Sequence, residues 1–190
     1  MQLHARVLTA ASVAALVVAL GPTQSLQAQT RSLRAQSQSA AARLDDPTIV
    51  AIFDAANTYD IETGSLAARK GHSDAVRDFG AMLVRDHSNV RKQGRDLAKS
   101  LNVTPTPPAD SPLAVAHAAA MKSLGAATGT EFDRLFLQHE IDFHNAVIYA
   151  VTKTLLPAIQ NAQVKDLVTK VAPAFVAHRD RAQNILDNLK

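Results

Sequence analysis

The sequence predicts an all-α protein, an up-and-down bundle of four long helices with a long connection between the second and the third. Aromatic residues make up 4% of the chain, tryptophan is absent and alanine is abundant, a composition that favours closely packed helices over a β-sandwich. Four long stretches place apolar residues at helical spacing. The sequence contains no strand-like alternating run and no Asn-Gly hairpin signal.

The N-terminal region has the layout of a secretory signal peptide. An apolar run from Val7 to Leu20 follows a short basic start, and Ala28 offers a small residue beside a cleavage site. The run is shorter than the roughly 20 residues that span a bilayer, although an uncleaved anchor remains the alternative. We expect residues 1–28 to be a signal peptide, 29–46 a flexible linker and 47–190 the folded domain. The mature chain would then have no membrane span and would lie in the periplasm or outer envelope.

Charge and cysteine content exclude several classes of protein. The formal charge is +3, but residues 47–190 hold 16 Lys and Arg against 15 Asp and Glu, so the excess comes from the N-terminal segment. A folded domain without a basic face and with few aromatic residues is not expected to bind nucleic acid. Because there is no cysteine, disulfides, thiolate metal sites and a lipidated cysteine are all excluded.

The first two helices form a predicted hairpin. Asp46 can cap the first helix and Pro47 suits its first position, and the helix is expected to end at about Lys70. Ser73 is predicted to cap the second helix, which runs to about Leu101.

The second half of the chain begins with a proline-rich crossover over residues 103–111, followed by a short helix at about 113–124. Thr130 is predicted to cap the third long helix, with Asp133 as its capping-box partner. That helix continues to about Ile159, with a possible kink at Pro157. A fourth helix at about Gln163–Asn188 completes a second hairpin. Two hairpins joined by one crossover form the ferritin-like arrangement.

Two polar residues of the third helix fall on its apolar face. Side chains advance by about 100° per residue, which places Glu140 and His144 inside the arc that contains Phe136 and Phe143. His139 lies at the edge of this arc. Because an unpaired charge is costly in a core, both inward-facing residues require partners on other helices.

Histidines on the second and fourth helices are the first candidate partners. His87 and His178 lie on the core faces of their helices. If the last turn is centred at Asn161, His144 lies 17 residues before it and His178 lies 17 residues after it. Equal offsets place two side chains at one height in an antiparallel hairpin, so we expect the imidazoles to meet.

The first helix offers two carboxylates near this level. His87 lies 15 residues beyond His72 in the first turn, whereas Asp60 lies 12 and Glu62 lies 10 before it, which makes Asp60 the better-levelled partner. Imidazole-rich sites suit zinc, copper, iron or nickel. We therefore predict a single transition-metal ion, with zinc, copper or iron as the candidates. The candidate ligands are His87, His144, His178, Asp60, Glu140 and Glu62.

Other polar residues are assigned lesser roles. His72 at a turn and His117 in the short helix are expected to face solvent, and His139 is expected to be peripheral. Asp86 is expected to be a solvated neighbour of His87 or a partner behind a ligand.

Two alternative functions stay open at this point. The histidines could be hydrogen-bonded core groups of a metal-free interaction or envelope-stress module. An oxidase or peroxidase-like enzyme would need two metals or an open redox site, but Val84 and Phe175 stand where a di-iron bundle carries glutamates. The sequence has no Gly-rich phosphate loop and no Gly-x-Ser-x-Gly elbow.

Four motifs stand out together: Asp60–Ala67, Phe79–His87, Gly129–Asp133 with the following His144, and Pro173–His178. Together they resemble the domain of unknown function (DUF) 4142 family, which is grouped with ferritin-like bundles and whose members are often labelled outer-membrane proteins. They cover the chain from about residue 47 to 190, and Asp60 stands where the family usually has glutamate. The resemblance supports His87, His144, His178 and Asp60 as site residues, leaves Glu140 as a local addition and implies no established activity.

Overall fold

The computed structural model describes residues 44–108 and 110–189, and no strand occurs among them, as the all-α prediction requires. The predicted signal peptide and most of the predicted linker lie outside the described residues. None of the described helices combines the length and apolar character needed to cross a bilayer. The five longest helices among these residues are α1 (Asp46–Lys70), α2 (Asp74–Ser100), α3 (Pro112–Ala126), α4 (Gly129–Ala150) and α5 (Ala162–Asp187).

The long helices pack as two hairpins. Helix α1 lies along α2, and α4 lies along α5, while contacts of α2 with α5 and of α1 with α4 join the hairpins. The short helix predicted between the second and third long helices is α3, which lies against α1 and α4. Ser111 caps it by accepting a hydrogen bond from the backbone N–H of Ala114, 3.2 Å away.

The core consists of two apolar clusters with a polar layer between them. One cluster includes Phe79 and Phe136, and the other includes Phe53 and Phe175. Each cluster draws side chains from all four long helices, and burial of this apolar surface is the main force that holds the helices together. The buried polar residues that lie between the two clusters along the helices are Asn57, Asp60, Thr63, His87, Glu140, His144 and His178.

The first helix begins with a different cap from the one predicted. Asp45, rather than Asp46, caps α1 by accepting from the backbone N–H of Thr48 at 2.9 Å. The carboxylate of Asp46 instead accepts from the backbone N–H groups of Gln160 at 2.9 Å and Asn161 at 2.8 Å. It therefore ties the start of the bundle to the turn before α5, a contact that has no local sequence signal.

Asp133 plays the same part at the opposite end of the bundle. The predicted cap at Thr130 is wrong, since the residue in the cap position of α4 is Thr128 and its side chain makes no capping bond. The fully buried carboxylate of Asp133 accepts from the backbone N–H groups of His72 at 2.7 Å and Ser73 at 2.8 Å. It thereby satisfies the turn between α1 and α2 rather than its own helix.

Replacing Asp133 with asparagine should lower the free energy of unfolding by about 2 kcal/mol, because an amide can accept only one of these two bonds and turns a donor toward the other N–H. Urea unfolding measures the change. Asp46→Asn is the matched control: its pair of bonds is partly exposed, so its loss should be smaller. Equal losses from the two variants would contradict this interpretation.

The end of the third long helix is irregular near Pro157, where the sequence predicted a kink, but the irregularity is a change of helix type. Helix α4 stops at Ala150, a π-helical turn spans Val151–Leu155, and a single α-helical turn covers Leu156–Ala158. Pro157 has no N–H to give the carbonyl four residues earlier, and its ring crowds that carbonyl. The wider turn before it accommodates this missing bond.

Candidate metal centre

His87 is oriented by a hydrogen bond that fixes its proton on the nitrogen facing away from the other histidines. Its Nδ1 lies 3.0 Å from Oδ1 of Asn57. The amide of Asn57 is itself held, because Nδ2 donates to the carbonyl of Phe53 at 2.8 Å. The Nδ1–H of His87 therefore donates to Asn57, which leaves its Nε2 as a bare lone pair.

His144 is oriented in the same sense by its own helix. Its Nδ1 lies 2.9 Å from the backbone carbonyl of Glu140, so Nδ1 carries the proton and donates. Its Nε2 is buried and has no hydrogen-bond partner among the residues that the structure describes. This is the arrangement that presents a neutral imidazole to a metal ion.

His178 completes the set from α5. Its Nε2 lies 3.3 Å from Oδ2 of Asp86, which is one-third exposed, and its Nδ1 lies 3.1 Å from Nε2 of His87. When the Nε2–H of His178 donates to Asp86, Nδ1 of His178 and Nε2 of His87 both carry lone pairs and face each other across that 3.1 Å. Two nitrogens held at 2.0–2.1 Å by a tetrahedral zinc ion would lie about 3.3 Å apart. A cation between them would remove the repulsion of the two lone pairs.

Burial keeps these imidazoles neutral. It lowers the pKa of His87 to about 2 and that of His144 to about 3, with the neighbouring His178 adding to both shifts. Burial also lowers the pKa of His178, against the opposing pull of Asp86. Neutral imidazole is the form that binds metals.

Two carboxyl groups lie beside the histidines. Asp60 and Glu140 are buried on facing helices, and the hydroxyl of Thr63 donates a hydrogen bond to Oε1 of Glu140 at 2.8 Å. Burial raises the pKa of Glu140 to about 7. It raises the pKa of Asp60 well above its usual range, together with the nearby charge of Glu140. Without a cation, the pair therefore retains a proton near neutral pH.

Five of the six predicted ligands are thus brought together, in two overlapping groups. Ligand atoms of His87, His144 and His178 lie within 4.8 Å of one another, and so do those of Asp60, Glu140 and His144. Asp60 connects the groups, since its Oδ2 lies 3.5 Å from Nδ1 of His87 and its Oδ1 lies 3.9 Å from Nε2 of His144. Either group could hold a metal ion.

Glu62 is the predicted ligand that the structure does not bring to the cluster. It lies two residues from Asp60, which turns it by about 200° around α1, and its half-exposed carboxylate accepts from Nε2 of His117 at 2.6 Å. The prediction that His117 faces solvent is wrong, because it is buried and stacks on Tyr59. His72 is exposed and His139 half-buried, as predicted.

Sequence reasoning missed two residues that shape the site. Asn57 and Thr63 hold His87 and Glu140 by hydrogen bonds across helices. Their signal was a polar side chain at helical spacing from Asp60 on the inner face of the first helix. Asp86 has the second of the two roles predicted for it, that of a partner behind a candidate ligand. Its carboxylate contacts Nε2 of His178, the nitrogen that faces away from His87.

The metal-free protein should be most stable between about pH 6 and 7. Below about pH 6.5, His87, His144 and His178 bind protons in the unfolded chain but stay neutral in the folded protein, because folding lowers their pKa values. The free energy of unfolding therefore falls as the pH is lowered. Asp60 and Glu140 hold protons in the folded state that they lose on unfolding, so their contribution is lost as the pH rises through about 7.

Urea unfolding in chelator between pH 4 and 9 measures both limbs of this curve. Glu140→Gln is the control, because it should flatten the alkaline limb and leave the acid limb in place. A stability that rises steadily from pH 5 to pH 9 would contradict the assigned proton positions.

Comparison with known proteins identifies the family to which the chain belongs. The model of the family described as "Domain of unknown function (DUF4142)" matches residues 30–185. No curated protein matches the chain, and no solved structure does. A match over this much of the sequence, together with the motifs around Asp60, His87, His144 and His178, shows that the chain belongs to the DUF4142 family.

Proposed function

We propose that this protein is an exported, ferritin-like helical bundle that binds one transition-metal ion in its core. The ligands would be the imidazoles of His87, His144 and His178, with the carboxylate of Asp60 beside them. Zinc, copper and iron are the candidate ions, because imidazole nitrogens suit all three. Export rests on the signal-like N-terminal segment, and the ferritin-like assignment rests on the two hairpins and the crossover between them.

One observation carries the proposal. Each of the three histidines has its far nitrogen turned to a separate hydrogen-bond acceptor: Asn57, the backbone carbonyl of Glu140, and Asp86. Ligand histidines in metal sites are typically oriented in this way. In this arrangement the remaining ring nitrogens of the three histidines lie close to one another in the core.

The enclosure of the cluster favours holding an ion over catalysis. The side chains of His87, His144 and Asp60 are at most 3% exposed and that of His178 is 6% exposed. A catalytic metal keeps an open position for water or substrate, whereas a closed ligand set is typical of structural or storage sites. The bound cation would supply the charge that lets Asp60 and Glu140 release their proton.

Metal analysis of the protein after reconstitution with zinc, copper or iron and desalting tests the proposal. We expect close to one ion per chain and a melting temperature that chelator lowers. An ion present at about 100 times its dissociation constant adds about 2.7 kcal/mol, which raises the melting temperature of a domain of this size by roughly 5–11 °C. If no ion is retained and chelator has no effect, the protein is a metal-free module.

A further inference from the structure

The two overlapping ligand groups differ in chemistry, and we propose that the class of metal decides which group it occupies. Copper and zinc would bind between His87, His144 and His178. Manganese would bind among Asp60, Glu140 and His144. This inference rests on the proposed function, since it assumes that the cluster binds ions.

The all-histidine group offers three neutral nitrogens and no charge. Imidazole is a ligand of intermediate softness, which suits Cu²⁺, Zn²⁺ and Ni²⁺ more than Mn²⁺. Its members come from α2, α4 and α5, so the ion would join both hairpins.

The carboxylate group offers two oxygens and one nitrogen. Three of its atoms are buried and have no hydrogen-bond partner within residues 44–108 and 110–189: Oδ1 of Asp60, Oε2 of Glu140 and Nε2 of His144. A buried polar atom without a partner costs free energy, and these three, in side chains at least 97% buried, belong to residues that meet at one place. Two carboxylates balance the charge of a divalent cation, and oxygen ligands suit the harder Mn²⁺.

The shared residue makes the two positions mutually exclusive. His144 has a single free nitrogen, because its Nδ1 is committed to the carbonyl of Glu140. An ion that takes Nε2 in one group removes it from the other. The cluster would therefore hold one ion at a time, and copper would displace manganese.

Titration calorimetry with Cu²⁺ and with Mn²⁺ on the full chain and two variants tests this. Glu140→Gln keeps the shape of its side chain and should weaken Mn²⁺ binding by about tenfold or more, while Cu²⁺ binding changes by less than about threefold. His178→Asn keeps a polar atom near the position of Nδ1. This variant should weaken Cu²⁺ binding by about tenfold or more and change Mn²⁺ binding by less than about threefold. Metal-free melting curves check that both variants fold.

A measurement on the unaltered protein keeps the test decisive even if a variant fails to fold. Electron spin-echo spectroscopy should count three imidazoles on bound Cu²⁺ and one on bound Mn²⁺, and one equivalent of Cu²⁺ should release the Mn²⁺. Equal imidazole counts, simultaneous binding of both ions, or Cu²⁺ binding without Mn²⁺ binding would overturn the inference but leave the proposed function standing. Failure to bind any ion would overturn both.

Discussion

Replacing His144 with alanine is expected to reduce the affinity for both Cu²⁺ and Mn²⁺ by at least about 100-fold. Its Nε2 is the one nitrogen common to both ligand groups, so neither group survives its loss. Removal of a residue that merely orients a ligand already costs 10–100-fold, and a ligand should cost at least as much. Calorimetric titration of the refolded variant measures the change.

A stability control is needed because His144 is fully buried. Leu137→Ala is well matched: Leu137 is equally buried on the same helix, but it belongs to the apolar cluster. Both truncations should lower the free energy of unfolding by about 2–5 kcal/mol. Only His144→Ala should abolish metal binding, and a comparable loss of binding in Leu137→Ala would assign the effect to packing rather than ligation.

Among the glycine-to-alanine substitutions, each of which adds one methyl group, Gly80→Ala is expected to lower the free energy of unfolding the most. A Cβ at Gly80 would lie 2.6 Å from the carbonyl oxygen of Gly64 and 2.7 Å from the backbone nitrogen of Ala68. Both atoms belong to the backbone of α1, which cannot yield as a flexible side chain can. Helices α1 and α2 would have to separate, at a cost of about 1–3 kcal/mol or more, which exceeds the gain in helix propensity.

Gly125→Ala provides the matched control for this prediction. Gly125 is also helical, and a Cβ there would meet no atom within 4 Å. This variant should leave the protein unchanged or stabilise it by up to about 1 kcal/mol, whereas Gly80→Ala should lower the urea midpoint markedly. If the two variants behave alike, the close approach of α1 and α2 is not important for stability.

The convergence of the histidines was predictable because it depends on periodicity and on hairpin offsets. Equal distances of His144 and His178 from Asn161 place them at one level, and the structure puts their ring centroids 5.5 Å apart. The offsets in the first hairpin likewise favour Asp60 over Glu62, and of these two residues only Asp60 reaches the cluster. Regular helices make such distances readable from residue numbers.

The features that sequence reasoning missed depend on contacts between distant segments. Asp133 looked like a local capping residue, but its carboxylate reaches a turn some 60 residues earlier in the chain. His117 was expected to face solvent because it lies in the short helix of the crossover, yet it packs on Tyr59 and its Nε2 donates to Glu62. In both cases a tertiary partner outweighs the local preference, and no periodic pattern records that partner.

X-ray absorption at the zinc edge of the zinc-loaded protein tests the central claim most directly. The account predicts a first shell at about 2.0 Å whose outer-shell scattering requires three imidazoles, and two imidazoles in His178→Asn. Zinc that is lost on desalting, or retained zinc with a shell of oxygens and no imidazole, would contradict the claim that three helices direct their histidines to one metal ion.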